Sequence, residues 1–183
     1  MDPGLKTLQQ EIAAAMEGMS PEQMGWQSAG KWSAGEIFEH LYLTYTGTMK
    51  GFERVLALGQ PKVSPVTLKQ RVGRLLVLGF SYLPSGREAP AMARPKGLPC
   101  EKVLAEVVGK IAEMDAMIAR CEELLGPGEL LDHVILGPLT GAEWRKFHVV
   151  HGRHHLKQVW KLQESCRASL ERTGEGARPH TGT

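Results

Sequence analysis

The chain has 183 residues, of which 42% are hydrophobic and 23% charged, and its formal net charge at pH 7 is +2. This balance indicates one soluble globular domain with a real core rather than two domains. The net charge is small, the basic residues are scattered, and few aromatic residues lie between them. We therefore expect neither nucleic acid nor an anionic membrane as a partner.

Apolar residues at three- and four-residue spacing predict that the chain begins with two helices. The first covers residues 5–18, and the second covers about 34–58. The second begins at a capping box, in which Ser33 caps the helix and Glu36 reaches back to it. Capping is the favoured interpretation of Glu36, and the alternative is a carboxylate that orients a histidine bound to a metal.

The middle of the chain predicts a third helix followed by a long loop. Ser64 as the cap and Pro65 at the first helical position begin a helix that carries apolar residues to about Tyr82. Residues 83–99 then hold four prolines. A loop of this length in a compact domain is expected to cover part of the domain or to be mobile.

Two further helices complete the prediction. The fourth spans about 100–125 and ends at a Gly-Pro-Gly sequence. After a second loop, the capping box TGAE at 140–143 begins the last helix, which is expected to reach about Arg172. The polar residues 173–183 are expected to form a disordered tail. The chain is therefore predicted to be all-α, with a single domain over 1–172 in which four long helices form a four-helix bundle with long surface loops.

The N-terminus and the cysteines favour a cytoplasmic location. The first nineteen residues lack the basic start and apolar run of a signal peptide, and no stretch is as long as an apolar membrane-spanning helix. Cys100, Cys121 and Cys166 form neither a CxxC motif nor a disulfide framework. A reducing, cytoplasmic setting is expected, with each thiol acting as a small apolar residue.

The last predicted helix carries four histidines in the sequence FHVVHGRHHLKQVW at 147–160. At 100° per residue, His148, His151 and His155 share the core-facing stripe, and His154 lies about 60° away. A single histidine on such a stripe is usually a hydrogen-bonded core residue. Three are harder to accommodate, because each buried imidazole has two nitrogens that need hydrogen-bond partners. Exposure of the stripe to solvent would remove this need.

A metal ion is the functional interpretation of this stripe. His151 and His155 lie four residues apart, a spacing at which two imidazoles can bind one ion, and the three-residue pairs with His148 or His154 are poorer alternatives. The third ligand should come from a facing helix, and His40 is the candidate because it lies on the inward face of the second helix. Three histidines leave coordination positions open, as in catalytic sites.

The sequences WSAGEIFEHL at 32–41 and HGRHHLKQV at 151–159 together resemble the DinB-like (DinB/YfiT) superfamily. Members of that superfamily are helical bundles with one histidine on the second long helix and an HxxxH motif near the last, commonly followed by a glutamine, here Gln158. The resemblance implies three metal ligands, which are His40, His151 and His155.

The resemblance also implies a divalent metal, zinc or nickel, and a homodimer. Characterised members include S-transferases and isomerases that use low-molecular-weight thiols, and proteins described as hydrolases. We therefore expect a metal-dependent hydrolase or a thiol-dependent transferase with a small-molecule substrate. The alternatives are a DinB-type bundle that binds a metal or a partner without catalysis, and a structural bundle with no metal.

Several other side chains have more than one interpretation. Gln158 either supports a metal-bound histidine or lies exposed on its helix. Tyr42 and Tyr45 are candidate proton donors only if one of them borders the cavity. His133 in a loop and His180 in the tail are expected to be incidental.

Overall fold

A computed structural model of the protein describes residues 1–28, 30–84 and 88–175, which are mainly helical. The helices are α1 (Pro3–Met16), α2 (Pro21–Gly25), α3 (Ala34–Leu58), α4 (Leu68–Arg74), α5 (Cys100–Leu125) and α6 (Gly141–Glu175). A π-helical turn (Leu75–Gly79) continues α4, and a 3-10 turn (Ala91–Ala93) precedes α5. Where a loop was predicted, the antiparallel strands β1 (Glu129–His133) and β2 (Gly137–Thr140) form a small hairpin.

The core lies between α1, α3, α5 and α6. Helix α3 packs on α5, and α1 packs on both α5 and α6. Each of these helices buries a stripe of apolar residues at helical spacing. Among the fully buried side chains are Leu8 and Ile12 on α1, Phe38 and Phe52 on α3, Ile111 and Met114 on α5, and Leu156 and Val159 on α6. The structure is therefore consistent with the predicted all-α class, with the hairpin as a minor addition.

Both predicted capping boxes form. The Oγ of Ser33 accepts a hydrogen bond from the Glu36 N–H at 3.2 Å, and the Glu36 carboxylate accepts one from the Ser33 N–H at 2.8 Å. Thr140 and Glu143 make the equivalent pair of hydrogen bonds at the start of α6. Because the Glu36 carboxylate is occupied at the start of α3, capping is the role that the structure gives it.

The third predicted helix begins later than expected. Ser64 and Pro65 lie outside the helix, and Thr67 is the N-cap in their place. The Oγ1 of Thr67 accepts from the Gln70 N–H, and the Gln70 side chain accepts from the Thr67 N–H, so that α4 starts at Leu68. The complete Thr67–Gln70 capping box satisfies two backbone donors, which the predicted Ser-Pro start would not have done. The π-helical turn then ends before the predicted boundary.

The last helix is longer than predicted. Helix α6 continues through Glu175, past the expected end at Arg172, so the first residues of the predicted disordered tail are helical. The rest of that tail, 176–183, lies outside the described residues and includes His180. No helix in the described part of the chain combines the length and the apolar character that crossing a membrane requires.

The three cysteines are free thiols, as the sequence predicted. Cys121 and Cys166 are buried, and Cys100 is exposed at the start of α5. The Cys121 thiol lies 3.8 Å from the carbonyl oxygen of Phe52. Cys121 and Cys166 therefore act as small residues of the core.

Residues 93–97 of the long loop predicted after the third helix lie against α3. Glu39 is buried on α3, and its two carboxylate oxygens accept hydrogen bonds from the N–H groups of Lys96 at 2.6 Å and Gly97 at 3.1 Å. Nearer the start of this loop, the carbonyl oxygen of Ala93 lies 2.7 Å from Nδ1 of His40. The loop therefore covers part of the helix that carries the predicted third ligand.

Candidate metal centre

Three buried histidines from two helices converge at one point. His40 comes from α3, and His151 and His155 lie one turn apart on α6. The Nε2 atom of His151 is 3.1 Å from Nε2 of His40 and 3.2 Å from Nε2 of His155. Each of these residues offers one ligand atom to a group that could hold a metal ion. The structure thus brings together the three histidines that the sequence analysis selected.

The period of α6 explains why two of the three meet. His151 and His155 differ by four residues, so both project from one face of the helix. The core-facing stripe predicted for this helix is also buried at its other positions, Trp144, His148 and Leu162. The stripe therefore does not face solvent, and its histidines need hydrogen-bond partners or a metal ion.

Hydrogen bonds to Nδ1 fix the tautomers of two of the ligands. His40 donates from Nδ1 to the carbonyl oxygen of Ala93 at 2.7 Å, and a carbonyl can only accept. His155 donates from Nδ1 to Oε1 of Gln158 at 2.9 Å. In the neutral form of both imidazoles the hydrogen is on Nδ1, and each Nε2 therefore presents a lone pair to His151.

The third imidazole cannot satisfy both of these lone pairs. Nδ1 of His151 is buried and has no hydrogen-bond partner among the described residues. One hydrogen on Nε2 of His151 could reach either His40 or His155, which leaves at least one Nε2 lone pair without a donor. A cation at the point of convergence would satisfy all three lone pairs. The donor set therefore fits a metal ion better than it fits a hydrogen-bonded histidine cluster.

The separations of the nitrogen atoms also suit an ion. Imidazole nitrogens bound tetrahedrally at about 2.0–2.1 Å from zinc lie about 3.3 Å apart. The two Nε2 separations given above, 3.1 and 3.2 Å, are close to this value. The three side chains can therefore close on an ion with small shifts.

Burial keeps these imidazoles in the form that binds metals. It lowers the pKa of His155 to about 3, and the neighbouring His40 contributes in the same direction. Burial also lowers the pKa of His151 well below its ordinary value, with further lowering from His155 and His40. The pKa of His40 is lowered by burial and partly raised by the Ala93 carbonyl. All three are therefore neutral near pH 7, as metal coordination requires.

Aromatic rings lie against the cluster on two sides. The ring centroid of Trp32 lies 5.1 Å from that of His40. The Phe147 ring stacks on His151 at 5.3 Å, with an angle of 19° between the ring planes. These apolar faces hold the imidazoles in place and exclude water from them, which strengthens electrostatic interactions at the site.

His154 and Gln158 form a link behind His155. The Nε2 of Gln158 lies 3.1 Å from Nε2 of His154, and its Oε1 accepts the Nδ1 hydrogen of His155. His154 is outside the three-histidine group, but it can accept the amide hydrogen of Gln158 and so set the orientation of the amide. Of the two interpretations of Gln158, the structure supports the one in which it orients a histidine of the site.

His148 belongs to a separate buried group. Its Nε2 lies 3.1 Å from Oγ1 of Thr48, and its ring centroid is 5.4 Å from that of Tyr45. Burial lowers the pKa of His148 to about 3 and raises the pKa of Tyr45. Tyr45 is fully buried behind the site, while Tyr42 donates to Glu106 at 3.0 Å. The Tyr42 hydroxyl is therefore engaged elsewhere, and the Tyr45 hydroxyl has no hydrogen-bond partner among the described residues.

His133 was expected to be incidental to the metal site, and it lies outside the three-histidine group but has a structural role. It is buried in the hairpin, and its Nδ1 accepts hydrogen bonds from the N–H groups of Ile135 at 3.2 Å and Leu136 at 3.1 Å. Its ring also lies 4.3 Å, centroid to centroid, from that of Phe147. His133 therefore holds the hairpin turn against α6 without joining the three-histidine group.

The Ala93 carbonyl is the contact that sequence reasoning missed. It supplies the acceptor that orients His40, but a backbone oxygen has no sequence signature. The nearest signal was the length of the surrounding loop, which indicated only that the loop covers something.

A family model described as "Protein of unknown function (DUF1569)" matches residues 6–162, a range that includes all three histidines. No curated protein and no solved structure matches the chain.

Proposed function

The chain belongs to the DUF1569 family of proteins of unknown function, and we propose that it is a metal-dependent enzyme. In this proposal His40, His151 and His155 hold a divalent ion, Zn²⁺ or Ni²⁺, both of which accept imidazole ligands. The observation that carries the proposal is the convergence of three Nε2 atoms, two of them with lone pairs fixed toward the third.

The proposal includes a four-helix bundle of the DinB type. In its support, α1, α3, α5 and α6 are the long helices, and the three histidines lie on the second and the last of them. The sequences WSAGEIFEHL and HGRHHLKQV contain these three histidines in the order expected for a DinB-like protein.

We place the reaction among hydrolyses and thiol transfers on a small-molecule substrate. A bound divalent ion acts as a Lewis acid and lowers the pKa of water or of a thiol toward neutrality. Within the described residues no fourth histidine, cysteine or carboxylate joins the group, which leaves room for a non-protein ligand.

The protein's own residues position and shield the site. Ala93 and Gln158 hold the Nδ1 hydrogens of two ligands and so aim both Nε2 atoms inward. Trp32 and Phe147 limit the access of water to the imidazoles. In these surroundings a bound ion would stabilise a developing negative charge more strongly than it would in bulk water.

Metal content of untagged protein tests the first half of the proposal. Wild-type protein is expected to carry about one Zn²⁺ or Ni²⁺ per chain. His151→Ala and His155→Ala are expected to lose it while keeping their helical circular dichroism. Gln163→Ala is the matched control, because Gln163 lies on the same helix as two of the ligands and donates to the carbonyl oxygen of Ala15, outside the group. Full metal content in His155→Ala would reject the ligand set.

A reactivity screen tests the second half. Protein loaded with Zn²⁺ or Ni²⁺ is offered simple esters and amides, and separately a low-molecular-weight thiol with an electrophilic acceptor. Turnover that His151→Ala abolishes and Gln163→Ala retains would support an enzyme. A protein that keeps its metal and turns over neither class would instead be a non-catalytic metal-binding protein.

A further inference from the structure

Helix α4 presents its apolar side to the outside of the molecule. Leu68, Val72 and Leu75 lie within about 60° of one another around the helix axis. Their side chains are 78%, 52% and 58% exposed. Most surface helices bury this kind of stripe, so α4 has the opposite orientation, whereas the π-helical turn that follows it buries Val77 and Leu78.

The inner side of α4 is held to the protein by polar contacts and by a glycine. Arg74 forms ion pairs with Glu129 at 3.0 Å and with Glu143 at 2.7 Å. A side chain at Gly73 would meet Leu136 at 3.4 Å, so the backbone of α4 lies close to the hairpin turn. These contacts fix which side of α4 faces outward, and the exposed leucines are therefore not the result of a detached helix.

The exposed apolar surface continues beyond the helix. Phe80 and Tyr82, just after the π-helical turn, are 69% and 58% exposed, and Leu76 is 36% exposed. Exposed apolar side chains concentrated in one short segment are typical of a site that another surface covers. Phenylalanine and leucine on one face with basic residues beside them are typical of helices that lie in a membrane interface.

The charged residues within this segment of the chain are of one sign. Between residues 54 and 84 the sequence has no aspartate or glutamate, but it has the basic residues Arg54, Lys62, Lys69, Arg71 and Arg74. Arg74 is neutralised by its two glutamates. Lys69 and Arg71 are exposed on the two flanks of the apolar stripe, and neither forms an ion pair with another described residue. The whole-chain charge of +2 conceals this local excess.

From these observations we propose that α4 and its π-helical turn dock on an anionic lipid surface. Leu68, Val72 and Leu75 would enter the interface, while Lys69 and Arg71 would contact negatively charged headgroups. A second copy of the chain fits less well, because a symmetric pairing would bring Lys69 and Arg71 together with the same residues of the copy. Twelve helical residues span about 18 Å, which suits a helix lying along the surface and not across it.

Vesicle co-sedimentation tests the proposal with the full chain. Wild-type protein is expected to sediment with vesicles of phosphatidylcholine containing phosphatidylserine, and at least tenfold more weakly with phosphatidylcholine alone. Raising the salt concentration is expected to reduce binding, because the basic side chains act near the surface and are screened.

Variants separate the apolar from the electrostatic contribution. Leu68→Gln with Leu75→Gln is expected to weaken vesicle binding by more than tenfold, because both side chains lose their favourable transfer from water. Lys69→Gln with Arg71→Gln is expected to weaken it by about fivefold for each residue. Leu124→Gln is the matched control and should bind as wild type does, since Leu124 lies on α5 and its exposure of 54% is close to the 58% of Leu75.

Three results would overturn the proposal. The first is that wild-type protein does not bind anionic vesicles. The second is that Leu124→Gln weakens binding as much as the double leucine change does. The third is a dimer, seen by sedimentation velocity in the absence of lipid, that Leu68→Gln with Leu75→Gln converts to monomers, which would assign this face to a second copy. None of these residues belongs to the metal centre, so metal content and vesicle binding succeed or fail separately.

Discussion

Gln158 accepts the Nδ1 hydrogen of His155 at 2.9 Å, through the amide oxygen that faces away from His154. An amide oxygen and an amide nitrogen can exchange places by rotation of the side chain. The Nε2 of His154, at 3.1 Å, favours the orientation with the oxygen toward His155. One glutamine thus determines the tautomer of a proposed metal ligand, and a second histidine determines the orientation of that glutamine.

We predict that Gln158→Ala weakens metal binding by about 10–100-fold, the usual effect of removing a hydrogen bond to a ligand histidine. Gln158→Glu should bind at least as well as wild type, because a carboxylate also accepts from Nδ1. Competition with a chromophoric chelator measures both affinities. Gln163→Ala is the control, since Gln163 lies on the same helix and donates to Ala15 instead. Wild-type affinity in Gln158→Ala would show that the hydrogen bond has no role in coordination.

The Glu39 carboxylate is predicted to hold the loop that orients His40. Glu39→Ala removes the acceptors of the Lys96 and Gly97 N–H groups, and we expect faster amide hydrogen exchange there and a free energy of unfolding lower by about 1–3 kcal/mol. Metal affinity should also fall, because Ala93 lies in the same loop. Glu53→Ala, at an exposed position of α3, should change none of these quantities. Unchanged exchange at Lys96 would mean that other contacts hold the loop.

Close packing of α1 on α6 depends on a glycine. A β-carbon at Gly152 would lie 2.7 Å from both δ-carbons of Leu8, which is fully buried and cannot move aside freely. We therefore predict that Gly152→Ala lowers the free energy of unfolding by about 1–3 kcal/mol, measured by denaturant titration. At Gly109 on α5 a β-carbon would meet nothing within 4 Å, so Gly109→Ala should be neutral or stabilising. Equal effects of the two changes would contradict the packing explanation.

We predict that the free energy of unfolding falls in acid because His133 is buried in its neutral form. Burial lowers its pKa from the ordinary 6.5 to about 4. Between these values the unfolded chain binds a proton that the folded chain does not, so the contribution of His133 is complete above pH 6.5 and is lost as the pH falls to 4. The loss is on the order of 3 kcal/mol.

This pH dependence is measured by the free energy of unfolding at pH 7 and at pH 4, with a chelator present so that release of metal does not contribute. His133→Gln should show a smaller difference between the two pH values than wild type does, since glutamine does not titrate in this range. The other buried histidines remain in both proteins, and of these His148 and His151 have pKa values that His133 also lowers. An identical pH dependence in the two proteins would exclude His133 as a source of the acid sensitivity.

Local patterns in the sequence were sufficient to predict several helix starts and one face of the candidate site. The capping boxes at Ser33 and Thr140 form as expected, since each depends on atoms only three residues apart. The pairing of His151 with His155 follows from the period of a helix. The helix start predicted at Ser64 was wrong, because a capping box three residues later satisfies more backbone donors.

The sequence by itself determined that the chain is helical, that the last helix buries a stripe of histidines, and that two of them project from one face. Only the tertiary structure decided that His148 meets Thr48 while His151 meets His40, that a backbone carbonyl orients His40, and that α4 turns its leucines outward. The physical reason is the range of the interactions. Helix periodicity and capping act within a few residues. The partner of a buried nitrogen or of an apolar face lies on an element that is distant in the chain, and the packing of the whole domain determines which element that is.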